Sequence, residues 1–195
     1  MNAKQKQYDV VTIGECMLRL SPPNFNRMRY MRSLDVNLCG AQHNIAANCA
    51  RLGLKSAFLT KLPDNAIGMY ARDFTESCGV DVSHIQMVPD SRLGINFVEF
   101  GMTPRASAVV YDRKYSAAST IGPSDFDWSA ILKGTKIAYT DGILPALSQN
   151  CKEAAFEFVR QAKKNGCKVA FDVNYREFLW STEEAKATLS EILKQ

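Results

Sequence analysis

Apolar positions along the chain alternate between two periods. Residues 8–13 (YDVVTI) form a short run rich in β-branched residues, which predicts a strand ending at Gly14-Glu15. Residues 16–38 are strand-like but broken by Pro22, Pro23 and several Asn and Arg. A turn at Cys39-Gly40-Ala41 opens a helical pattern with Ile45, Cys49 and Leu52 on one face, stopped by Gly53. Residues 57–62 read as the next strand. Residues 66–78 then place Ile67, Tyr70, Ala71, Phe74 and Cys78 at helical spacing, and Gly79 stops them. Strand, helix, strand, helix is the rhythm of a parallel α/β sheet.

That rhythm breaks between about 92 and 118. GINFVEF and SAVVYDR flank a turn at 101–104 and predict a hairpin. In the second run Val109, Tyr111 and Arg113 alternate with Ala108, Val110 and Asp112, which puts Tyr111 and Arg113 on one face. A hairpin inserted in an α/β chain predicts a flap or lid. The rhythm returns with a strand at 136–140, a helix at 149–164 stopped by Gly166, and a strand at 169–173. Residues 182–195 predict a helix capped by Ser181 or Thr182, with Ala185, Leu189, Ile192 and Leu193 as its apolar face. No further strand follows for it to cross over to, so the pattern predicts a chain that stops before its sheet is complete.

Composition narrows the function classes. The 195 residues are 46% hydrophobic and 23% charged, as in a globular chain with a sizeable core. The net charge of +4 is spread along the sequence, and the densest basic patch is Arg27, Arg29 and Arg32, so nucleic acid is not an expected partner. No apolar run is long enough to span a membrane, and the polar start MNAKQKQ does not read as a signal peptide. Six cysteines without a C-x-x-C, in a chain with no secretory signal, point to the cytoplasm. With only two histidines, His43 and His84, neither a His-rich metal site nor any other metal ligand is expected.

Several segments carry a resemblance: Gly14-Glu15, CGAQHNIAANCARLG, GVDVSHI, YDRKYSAAS, DGILPALS and above all DVNYREFLW, with D-x-N-Y-R-x-x-L-W at 172–180. In this order they resemble the PfkB/ribokinase family of sugar kinases, most closely its 2-keto-3-deoxygluconate kinases. The resemblance implies a three-layer ribokinase-like α/β domain over 8–195, its C-terminal part missing, with a small β-sheet lid built from strands at about 16–38 and 93–115. It implies phosphoryl transfer from ATP, with Mg²⁺, to a hydroxyl of a sugar or sugar acid, and a homodimer formed through the lid. Carried over residue by residue, it implies substrate contacts at Gly40, Asn44, Tyr111, Arg113 and Arg176, and a nucleotide border at Asn174 and Tyr175.

Each of these residues has a plainer reading beside it. Gly40 and Asn44 would serve as a turn and a helix start, Tyr111 as lid packing, and Arg113 as a surface partner of Asp112 or Glu99. Arg176 would cap a helix or neutralise Glu177 or Asp172, Trp180 would belong to the core, and Cys39 and Cys49 would be inert thiols.

The chain also departs from the family pattern. Cys39-Gly40 replaces a Gly-Gly, Pro63-Asp64-Asn65-Ala66-Ile67-Gly68 replaces a G-x-D-x-x-G, and Asn96 stands where some relatives carry a lid tyrosine. No G-x-G-D occurs in the 195 residues, so the family's catalytic aspartate and anion hole find no counterpart. The expectation is therefore a sugar-side half that is inactive by itself, with no catalytic residue in this chain. A neutral-sugar kinase and a non-catalytic sugar-binding module are the alternatives. A dinucleotide domain would need a G-x-G-x-x-G after the first strand, which is absent.

Overall fold

The structure, a computed structural model, describes residues 8–195. The polar start read as no signal peptide lies outside these residues. The main sheet contains β1 (Val10–Ile13), β4 (Ser56–Leu59), β9 (Ile137–Asp141) and β10 (Lys168–Asp172), all parallel, in the order β10-β9-β1-β4. β1 is buried at every position, because both of its faces are covered. Val11 and Ile13 join Ala57, Leu59 and Ala138 under α5 (Gln149–Lys164), together with α3 (Trp128–Leu132), α4 (Leu144–Leu147) and α6 (Thr182–Lys194). On the other face Phe58 packs with Ala46 and Ala47 of α1 (Ala41–Arg51) and Ala71 of α2 (Ala66–Ser77). Helices on both faces of a parallel sheet make this the three-layer arrangement that the resemblance implied.

A second sheet of four strands stands beside the first, in the order β3-β2-β7-β8: β2 (Met17–Ser21), β3 (Asp35–Cys39), β7 (Gly94–Glu99) and β8 (Ala108–Asp112). β7 and β8 are the antiparallel hairpin read from the sequence, and β2 joins β7 in parallel. The expected strand at 57–62 divides at Thr60. Its second part, β5 (Lys61–Pro63), leaves the main sheet to pair with β6 (Gln86–Val88).

Two helix faces differ from the periodicity reading. The buried stripe of α1 is Gln42, His43, Ala46 and Ala47, and Leu52 is 81% exposed. Small alanines let the helix approach the sheet closely, His43 lies between the rings of Phe58 and Phe74, and Gln42 is buried because its amide has a partner described below. In α2 the buried positions are Gly68, Ala71 and Thr75; of the expected stripe Ala71 and the capping Cys78 are buried, whereas Ile67, Tyr70 and Phe74 are partly exposed. The Thr75 hydroxyl is satisfied by the carbonyl of Ala71 at 2.7 Å, so a polar residue can take the inner face. Helix ends follow the sequence more faithfully. Ser181 caps α6 in a reciprocal box with Glu184, and Asn65, in the loop that departs from the family pattern, caps α2 through bonds from Ile67 and Gly68.

Candidate functional site

β1 sits between β4 and β9. The chain leaves it through α1 to reach β4 on one side, and later returns to β9 on the other. The connections therefore diverge at the carboxyl ends of β1 and β9, the place where open α/β sheets form ligand crevices. Two acids hold this end together.

The first is Asp141, the last residue of β9, which is fully buried. Its Oδ1 accepts from Gln42 Nε2 on α1 and from the backbone N–H of Ile143 at 2.9 Å, and its Oδ2 accepts from Asn174 Nδ2 at 2.7 Å. One carboxylate thus ties α1, the turn after β9 and the loop after β10. Burial pushes its pKa up to about 6. The bonds from Asn174, Ile143 and Leu144 pull the other way, and the charge of Asp172 adds to the rise.

The second is Glu15, just past β1 and also buried. Its Oε2 accepts from Arg113 Nε at 3.0 Å and from Arg113 Nη2, while Oε1 accepts from Ser116 Oγ at 2.6 Å. A guanidinium bound through two nitrogens to one carboxylate is oriented as well as neutralised. Two glycines make room for this acid. A Cβ on Gly40 would overlap the Glu15 carbonyl oxygen, and one on Gly94 would come within 2.8 Å of Glu15 Oε1. At Gly40, where the neighbour is backbone, only a residue without a side chain fits.

Between β8 and the loop after β10 lies a cleft of about 670 Å³, lined by residues 109–114 and 175–179. Tyr111 faces it with its ring centroid 6.4 Å from that of Phe178 on the opposite wall, and the Arg113 guanidinium carbon stands 5.7 Å from the Tyr111 ring.

The sequence pattern of the family described as pfkB family carbohydrate kinase matches residues 7–195. The chain belongs to that family. A 2-dehydro-3-deoxygalactonokinase of Haloferax volcanii is 38% identical over 178 residues, covering 91% of this chain and 55% of that protein. A 5-dehydro-2-deoxygluconokinase of Shouchella clausii is 31% identical over 181 residues, covering 92% of this chain and 55% of that protein. Among solved structures, the 2-dehydro-3-deoxygluconokinase of Thermotoga maritima superposes with a TM-score of 0.92 at 40% identity, over 94% of this chain and 56% of that one. The chain therefore spans about half the length of these relatives.

In this pfkB chain the residues singled out from sequence fall into two groups. Tyr111, Arg113, Tyr175 and Arg176 come together along the cleft, although more than 60 residues separate the two pairs in sequence. Gly40 and Asn44 do not line it. Gly40 lies close against the Glu15–Cys16 backbone, and Asn44 is exposed on the first turn of α1, its Oδ1 3.4 Å from His43 Nδ1. Asn174 is half-buried and spends its amide on Asp141.

The plainer readings fare unevenly. Arg113 pairs with neither Asp112 nor Glu99, because those acids hold Arg92 and Arg105. Arg176 is exposed and, among the described residues, makes no ion pair with Glu177 or Asp172. Trp180 packs against the core as its plain reading expected. Cys39 and Cys49 have thiol pKa values raised by burial, the direction of an inert thiol.

Sequence reasoning missed Glu15, Gln42 and Asp141 as the residues that hold the site. Each sits at a strand end or on a helix face, and nothing local marks its long-range partner. Among the described residues no three His, Cys, Asp or Glu side chains converge as a metal site. Among the described residues no helix is long and apolar enough to cross a membrane.

Proposed function

We propose that this chain is the sugar-side half of an ATP- and Mg²⁺-dependent kinase that phosphorylates a hydroxyl of a sugar acid, with 2-keto-3-deoxygluconate the favoured substrate. The observation that carries this reading is the cleft that joins the lid pair, Tyr111 and Arg113, to Tyr175 and Arg176. An aromatic ring, a fixed guanidinium and a second, water-exposed guanidinium suit a ligand with a sugar-like backbone and one carboxylate. Relatives named for kinases of dehydro-deoxy sugar acids support the same class. ATP enters through the family, and no residue described here is assigned to Mg²⁺.

Phosphoryl transfer needs a base and an anion hole, and no G-x-G-D is present. The 195-residue chain is accordingly expected to bind the acid without phosphorylating it. One observation favours a neutral sugar instead: Arg113 is already neutralised by Glu15. Calorimetric titration of the chain with 2-keto-3-deoxygluconate and with fructose separates the two. Preference for the acid, weakened in Arg176→Ala, supports the proposal. Preference for fructose reverses it. ATP-dependent phosphorylation by the chain alone would sink the sugar-side-half reading.

A homodimer through the second sheet belongs to the same proposal. Strand register aligns Val36, Leu20, Phe97 and Val110 in one row across all four strands, and Val36 and Val110 are more than half exposed. A continuous apolar row on an open sheet face suits contact with a second copy.

A further inference from the structure

The opposite face of the second sheet is polar. Side chains alternate along β2, so Met17, Arg19 and Ser21 share the face turned away from Leu18 and Leu20. Register sets Arg19 opposite Asn37 on β3 and Asn96 on β7, and sets Asn96 opposite Tyr111 on β8. Directly paired residues point to the same side, so a row of four polar side chains crosses the whole sheet and ends at the Tyr111 that lines the cleft.

Three buried polar atoms of this face have no hydrogen-bond partner: Arg19 Nε, Ser21 Oγ and Asn96 Oδ1. Asn96 is 7% exposed and Ser21 3%. The Asn96 amide nitrogen is engaged by the Cys39 sulfur at 3.5 Å, which leaves its oxygen as the open acceptor. Buried polar groups in folded proteins are nearly always paired, so three orphans on one face mark a place where something polar is to bind.

The charges on this sheet point the same way. Arg92, Arg105 and Arg113 are each held by a carboxylate, from Asp112, Glu99 and Glu15. Arg19 makes no ion pair among the described residues, and its guanidinium carbon lies 6.0 Å from the Phe100 ring. Its positive charge is therefore uncompensated, and with Nε buried it is less screened than the exposed Arg176. The orphans ask for an anion at Arg19 and a hydroxyl donor at Asn96 Oδ1, and a hydroxylated carboxylic acid offers both. β2 and β8 are two strands apart, about 10 Å. An arginine side chain and a hexose-sized acid together span that gap.

We infer that Arg19 is a specificity-determining residue: it supplies the charge that selects a sugar acid over a neutral sugar, while Asn96 Oδ1 accepts from a neighbouring hydroxyl of the same ligand. This rests on the sugar-acid reading above and deepens it. Arg113, paired with Glu15, brings no net charge to the ligand and acts beside Tyr111 as a fixed donor.

The test is calorimetry of the full chain with 2-keto-3-deoxygluconate and fructose, on the wild type, Arg19→Gln and Asn96→Asp. Circular dichroism establishes that each is folded. Wild type should favour the acid, and Arg19→Gln should lose about ten-fold of the acid-over-fructose ratio, the loss of one charge-assisted hydrogen bond. Asn96→Asp, nearly isosteric, sets a carboxylate opposite Arg19 and should lower the ratio similarly, so the inference stands testable if Arg19→Gln does not fold. An unchanged ratio in the folded variants, with wild type favouring the acid, overturns the role of Arg19 and leaves the sugar-acid reading intact. A wild type that favours fructose, or binds neither, overturns that reading and this inference with it.

Discussion

Glu15 and Asp141 organise the site, and each makes a measurable prediction. Among the described residues, Glu15 is the one carboxylate paired with Arg113, whose side chain is 10% exposed. Removing the acid leaves a buried charge unpaired, so Glu15→Gln should cost about 3–5 kcal/mol in urea unfolding. Adding Arg113→Met should recover much of that loss, because no charge is then stranded. Asp141 acts through pH. Its folded pKa of about 6 lies above the ordinary carboxylate value, so between pH ~4 and ~6 the folded chain holds a proton that the unfolded chain has released. Its contribution to stability is therefore full below that window and is lost as pH rises through it, by roughly 2–3 kcal/mol. Asp141→Asn cannot ionise, and the Asn174 amide can rotate to meet it. The variant should flatten the stability difference between pH 4.5 and pH 7 that this group creates in the wild type. Neither acid was legible as a site residue, since a carboxyl gains its role from partners 98 or 33 residues away.

At the scale of elements, strands and the α6 cap could be read from the chain, but the inner face of α1 could not and that of α2 only in part. Periodicity weighs a residue by its hydrophobicity, and so it selected Ile45, Cys49 and Leu52 on α1 and Ile67, Tyr70, Ala71, Phe74 and Cys78 on α2, of which only Ala71 and Cys78 are buried. The inner faces are instead made mostly of small or internally satisfied residues, Ala46 and Ala47 in one case and Gly68 and Thr75 beside Ala71 in the other. Close helix–sheet approach favours them over larger side chains. The two readings predict opposite mutational outcomes. Ala46→Leu, at a position with no exposure, should cost about 1–3 kcal/mol through overpacking. Leu52→Ala should change stability by less than about 0.5 kcal/mol, because its side chain stands in water. Thermal or urea unfolding of the two variants decides between the faces.

For the molecule as a whole, the second sheet presents a polar face toward the cleft side and an apolar row behind it. If that row seats a second copy, Val110→Lys should leave the fold unchanged and shift the chain to monomer in sedimentation velocity, whereas an unchanged species would place the dimer elsewhere. The rhythm of strands and helices, the inserted hairpin, the caps and the family were all determined by the sequence itself. These depend on local periodicity, on turn and cap chemistry, and on motifs such as D-x-N-Y-R-x-x-L-W that lie within a few residues. Tertiary structure alone decided that Arg113 belongs to Glu15, that Asn174 and Gln42 meet at Asp141, and that Arg19 stands uncompensated in line with Asn96 and Tyr111. Such pairings are set by strand order and register, which bring together residues from distant parts of the chain. A linear pattern carries no record of which charge will find which partner.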